Sequence, residues 1–99
     1  MLANFKAYQL ALTLNQECQG IKAKGYIQDQ LLRASLSIVL NLAEGSAKSG
    51  RKDRCRFYEI AFGSTREVQA IVSVLSKGKA IALADQTAAC VFALIRSLK

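Results

Sequence analysis

The chain has 99 residues, 52% of them apolar, with 14 basic and 7 acidic side chains for a formal charge of +7. That is one small domain with one core, too small to hide so much apolar surface alone, so the composition favours self-association and a polyanionic partner. Histidine is absent, which removes the commonest general base, the commonest metal ligand and every Ser-His or Cys-His nucleophile pair.

No proline interrupts the chain, and four helices are predicted in order. The first runs from about Asn4 to Gln19. Leu2, Phe5, Tyr8 and Leu12 share one of its faces, and Ala7, Leu10, Ala11, Leu14 and Cys18 form a second. Gly20 and Gly25 bracket a short basic loop carrying Lys22 and Lys24. The second helix is predicted from Ile27 or Gln28 to Gly45, with Gly45 as its C-cap. Ser46 to Gly50 form a loop in which Ser49 suits an N-cap. The third helix is predicted from Arg51 to about Lys77, with Phe57, Ala61, Ser64, Val68, Ile71, Val72 and Leu75 at helical spacing. Gly63 in its middle costs about 1 kcal/mol against alanine; it is either a tolerated weak spot or a place where another helix comes close. Gly78 is expected to break this helix. The fourth runs from about Ile81 to Leu98, with Ile81, Ala84, Ala88, Val91, Phe92 and Ile95 on one face.

Strand-like alternation, long linkers and repeats are missing from the sequence. Residues 1–99 therefore read as a single all-α domain, and the short loops imply an antiparallel up-down four-helix bundle. No apolar run approaches the roughly 18 residues of a membrane span, and no signal-peptide core follows Lys6. The expectation is a cytoplasmic protein without a membrane role.

The second helix carries the most information. Leu36, Ile38, Val39, Leu42 and Ala43 cover most of its circumference, which is the pattern of a buried helix. Arg33, Ser37, Asn41 and Glu44 form one narrow polar stripe at about 3.6 residues per turn. Buried charges need partners, so the stripe is expected to pair with another helix or another subunit and to fix helix register. Glu67 on the third helix is the candidate partner for Arg33. Arg33 with Glu44 could do acid-base work, but there is no metal cluster or glycine-rich phosphate loop beside them, and the structural reading is preferred.

Lys48, Arg51, Lys52, Arg54 and Arg56 form a basic cluster interrupted only by Asp53. Such density neutralises phosphates with release of counterions, and Phe57 and Tyr58 lie close by as candidate stacking rings. A solvated basic helix start is the plain alternative, but cations sit poorly at a helix N-terminus, which raises the binding reading to stand level with it. Cys18, Cys55 and Cys90 are too widely spaced for a zinc or thioredoxin motif. Cys18 and Cys90 read as buried thiols. Cys55 lies among cations that would favour its reactivity, although an incidental thiol is the plainer reading. No cofactor or metal is expected.

Two stretches resemble a bacterial family of small four-helix-bundle proteins. The family was first noticed as reading frames inside intervening sequences of 23S ribosomal RNA genes, and it is related to the accessory variability determinant proteins of diversity-generating retroelements. The first stretch is Arg33-Ala34-Ser35 through Ser37-Ile38 and then Asn41-Leu42-Ala43-Glu44-Gly45, where the family form usually has Ile at the position of Leu42. The second is Phe57 to Ala61, then Gly63-Ser64 and Glu67-Val68; Gln69 stands where the family tends to be acidic. The resemblance implies a bundle that assembles into a ring, commonly a homopentamer. In the retroelement relatives it implies nucleic-acid binding beside a reverse transcriptase, while this chain looks closer to the ribosomal-insert branch.

The functional expectation is a non-enzymatic, homo-oligomeric scaffold that binds nucleic acid through Lys48, Arg51, Lys52, Arg54 and Arg56, largely independently of sequence. The alternative is an oligomeric adaptor that contacts protein and uses its charge for solubility.

Overall fold

Apolar residues recur every three or four positions in four segments, and each segment is helical in the computed structural model, which describes Leu2 and residues 5–99. The helices are α1 (Lys6–Gln19), α2 (Gly25–Ser46), α3 (Arg51–Val74) and α4 (Gly78–Leu98). No strand occurs among the described residues. The start expected at Asn4 lies outside the described residues.

Short loops force successive helices to run antiparallel. α1 and α3 each pack against both α2 and α4, which gives a square bundle 40 Å long and 22 by 21 Å across. One end holds the N-termini of α1 and α3 and the C-termini of α2 and α4. The opposite end holds the 20–24 and 75–77 connections.

The core is built from one stripe of each helix. Of the two apolar faces expected on α1, the one with Ala7, Ala11, Leu14 and Cys18 is buried, and Phe5, Tyr8 and Leu12 pack along its edge. α2 contributes Leu31, Ala34, Ile38, Val39 and Leu42, and α4 contributes Ala80, Ala84, Val91 and Ile95. On α3 the buried line is Tyr58, Ala61, Thr65, Val68 and Val72, one position round from the line through Phe57 and Ser64. Thr65 and Thr87 enter the core because each hydroxyl donates to a carbonyl one turn back, Ala61 and Leu83, both at 2.8 Å. That satisfies the buried group without a partner from another helix.

Several helix ends differ from the sequence expectation. α2 begins at Gly25, not Ile27 or Gln28, and ends at Ser46. Gly45 is therefore inside α2 and is not its cap. A Cβ on Gly45 would stand 2.6 and 2.9 Å from two Tyr58 ring carbons and 3.1 Å from the Phe57 Cβ. The close helix approach that Gly63 suggested belongs to Gly45, where α3 crosses α2; among the described residues, no other helix comes within 4 Å of a Cβ built on Gly63. Gly50, not Ser49, is the N-cap of α3. α3 ends at Val74, not Lys77, and α4 begins at Gly78, not Ile81. The break falls at Ser76, which adopts a left-handed φ of 55°, while the Lys77 N–H donates back to the Val72 carbonyl at 3.1 Å. Gly78 opens α4 and does not stop α3.

α4 also corrects a reading of the sequence. By length and composition this 21-residue helix is apolar enough to cross a membrane. Its core stripe from Ala80 to Ile95 packs inside the bundle.

Candidate nucleic-acid interface

The antiparallel order gathers positive charge at one end. Lys6 of α1, Lys48 after α2, Arg51, Lys52, Arg54 and Arg56 of α3, and Arg96 and Lys99 at the end of α4 all lie there. Against these eight cations stand Glu44, Asp53 and Glu59, so this end carries +5 of the chain's +7. Lys6, Arg96 and Lys99 were not included in the sequence cluster. Up-down topology alone would have brought them to it.

The five predicted binding residues fall into two groups. Arg51, Lys52 and Arg56 are exposed. Arg51 also donates to the Leu98 carbonyl at 3.3 Å, which ties α3 to α4. Lys48 and Arg54 are half-buried and already engaged. Lys48 pairs with Glu44 at 3.1 Å, one helical turn away. Arg54 donates to the Lys48 carbonyl through Nε at 3.3 Å and Nη2 at 2.9 Å, closing the loop between α2 and α3. Gly50 offers no side chain to cap α3, so the partial positive charge of that helix end adds to the field of the cations.

The two candidate stacking rings are occupied. Tyr58 is only 3% exposed; it packs against Phe5 with ring centroids 6.0 Å apart and fills the space beside Gly45. Burial pushes its phenol above the ordinary value, opposed by the charge of Arg54. Phe57 is half-buried and carries cations on its ring, Lys48 Nζ at 5.4 Å and Arg56 Cζ at 4.5 Å from the centroid.

Two clefts flank the start of α3. One is lined by Phe5, Ala43, Ser46, Arg54 and Tyr58. The other is lined by Arg51, Lys52, Cys55, Arg56, Glu59 and Leu98. Lys99 closes the second by pairing with Glu59 at 3.0 Å, which raises the pKa of its ammonium. No group of three or more His, Cys, Asp or Glu side chains converges among the described residues. Cys18 is fully buried, and burial raises its thiol to about 11.

The polar stripe of α2 is only partly inward. Ser37 faces α3, its hydroxyl 2.8 Å from that of Ser64, and Asn41 stays within α2, donating to the Ser37 carbonyl at 2.9 Å and to its hydroxyl at 3.1 Å. Arg33 and Glu44 are exposed in the single chain, so no other helix of the bundle buries them. Arg33 donates to Gln30 at 2.9 Å, and Gln30 donates to Glu67. Glu67 is thus reached through Gln30, and Glu44 turns to Lys48. α2 is also not buried all round, because Leu36 and Leu40 are 48% and 56% exposed on its outer side.

Fold and site together define a small antiparallel four-helix bundle with one strongly basic end and a polar seam between α2 and α3. The chain belongs to the 23S rRNA-intervening sequence protein family, whose model matches residues 3–91. Among curated proteins, none matches it.

Proposed function

We propose that the protein is a non-enzymatic, homo-oligomeric scaffold that binds nucleic acid through its basic end. The observation that carries this reading is the convergence of eight cations, from α1, the loop after α2, α3 and the end of α4, on one end of the bundle, where they outnumber carboxylates by five. Long basic side chains on helix ends and loops contact phosphates readily, and no base-reading motif accompanies them, so binding is largely independent of sequence. Leu36, Leu40 and Ile60, which stay 43–56% exposed on the outer side of α2 and α3, support the oligomeric part of the reading. A ring, commonly of five copies, is the form the family resemblance favours, and it would multiply the local charge. The same apolar residues favour the second reading, an oligomeric adaptor that contacts protein.

Fluorescence anisotropy across a salt series separates the two. Four duplex phosphates neutralised by Arg51, Lys52, Arg56 and a neighbouring cation give a slope of log affinity on log salt of about −3.6. An oligomer that ignores nucleic acid at low salt supports the adaptor.

A further inference from the structure

The state of the aromatic rings bears on the form of nucleic acid that the basic end accepts. Single strands bind non-specific proteins by combining backbone neutralisation with stacking on exposed rings, each stacked base multiplying affinity by about five- to 150-fold. At this end no ring stands free: Phe5 is half-buried on the Tyr58 ring beside the Arg54 cleft, and Tyr8 is half-buried against the core. Tyr58 is sealed in the core beside Gly45. Phe57 is half-buried under Lys48 and Arg56, so a base could reach its face only by displacing charges that would otherwise meet phosphates. Phe92, further along α4, is 48% exposed, but its ring packs on Phe62 with centroids 5.9 Å apart and holds Arg96 5.8 Å away. Tyr26, 73% exposed, is at the opposite end of the bundle.

What remains accessible is charge. Arg51, Lys52 and Arg56 are exposed around the first turns of α3, on an end about as wide as the bundle, 22 by 21 Å. Such a surface matches a dense, rigid array of phosphates. A duplex presents one charge per roughly 1.7 Å of axis, and its stacked interior asks nothing of the protein's rings. We propose that the partner of the basic end is double-stranded nucleic acid, gripped by its phosphate backbones, and not an unstacked single strand. This rests on the nucleic-acid reading above and specifies the ligand of that site.

The test uses the intact protein and two fluorescent probes of equal length, a blunt duplex and one of its strands with no self-complementarity, as DNA and again as RNA. Affinities are measured by anisotropy at low and moderate salt. The expected result is roughly tenfold or greater preference for duplex in low salt, and loss of binding with salt at about 0.9 log units per phosphate contact. Phe57→Leu, which keeps an apolar side chain but removes the ring, should leave duplex affinity within about twofold, since counterion release does not involve the ring. Equal or tighter binding of the single strand overturns the proposal while leaving the nucleic-acid reading standing. A large loss of binding in a folded Phe57→Leu also overturns it, by showing that the ring itself is in use. Binding of neither probe overturns both.

Discussion

Gly45→Ala is the substitution for which the fold makes its least ordinary demand. In an exposed helix interior the change stabilises by about 1 kcal/mol, because alanine is the better helix former. Here the new methyl would sit 2.6 and 2.9 Å from the Tyr58 ring and 3.1 Å from the Phe57 Cβ, whereas carbon atoms pack best at about 3.5–4.0 Å. The ring cannot swing into solvent, being 3% exposed, and the Phe57 Cβ moves only with the α3 backbone. Overpacking of this kind costs typically about 1–3 kcal/mol and sometimes more. Against the propensity gain, the net loss is up to about 2 kcal/mol, a fall in Tm of up to roughly 15 °C for a domain of this size. Urea unfolding followed by circular dichroism should show a lower midpoint at unchanged slope. Gly63→Ala, with no other helix within 4 Å, should be neutral or stabilising by up to about 1 kcal/mol. In a Tyr58→Ala background the cost of Gly45→Ala should largely vanish, a coupling of about 0.5–3 kcal/mol. A Gly45→Ala protein more stable than the parent by the full propensity gain of about 1 kcal/mol would refute the close crossing of α2 and α3.

Arg54→Ala should destabilise the chain by about 1.5–3 kcal/mol, the range for hydrogen bonds from a charged group, because both bonds to the Lys48 carbonyl are lost; Lys52→Ala should stay within about 0.5 kcal/mol in the same melt. Leu36→Glu with Leu40→Glu should reduce the assembly to helical monomers in light scattering, and an assembly of unchanged size would exclude that face from subunit contact. Cys18 should resist thiol reagents in the folded state while reacting freely in denaturant. Its thiol ionises near 9.0 when unfolded and about 11 when folded, so its contribution is intact below pH 9 and is lost as pH rises towards 11. At about 1.4 kcal/mol per unit the loss is of order 2–3 kcal/mol, and the difference in stability between the parent and Cys18→Ala should shrink accordingly over that range.

The helix count, their order and most of the α1 and α4 core faces were legible from spacing, because residues such as Ala7, Ala11, Leu14 and Cys18 repeat at one helical period. Tyr58 and Thr65 were not legible as core. A tyrosine and a threonine look like surface residues until the ring is seen wedged against Gly45 and the hydroxyl bonded to its own helix. Gly45 itself was misread because glycine after an apolar helix ordinarily signals its end, and only the crossing of α3 gives it another use. The polar stripe was legible in its middle, where Ser37 meets Ser64. At Arg33 and Glu44 no helix of the same chain covers the stripe, because the wheel shows which residues share a face but not whether a neighbouring helix covers that face. The basic cluster was legible as charge, but its division into free and committed cations depends on Glu44, Phe57 and the Lys48 carbonyl, whose positions follow from the loop geometry.

The central claim, that binding resides at one end of the bundle, is tested most directly by two variants of equal charge. Arg51→Gln, Lys52→Gln and Arg56→Gln alter the basic end; Lys22→Gln, Lys24→Gln and Lys77→Gln alter exposed lysines at the other. Each lowers the charge by three. In a salt series with one duplex probe, the first variant should bind more weakly and flatten the slope by about 2.7, three contacts at 0.9 each, while the second keeps the parent's slope and nearly its affinity. Equal losses in both variants would mean that net charge, and not the assembled end of the bundle, attracts the nucleic acid.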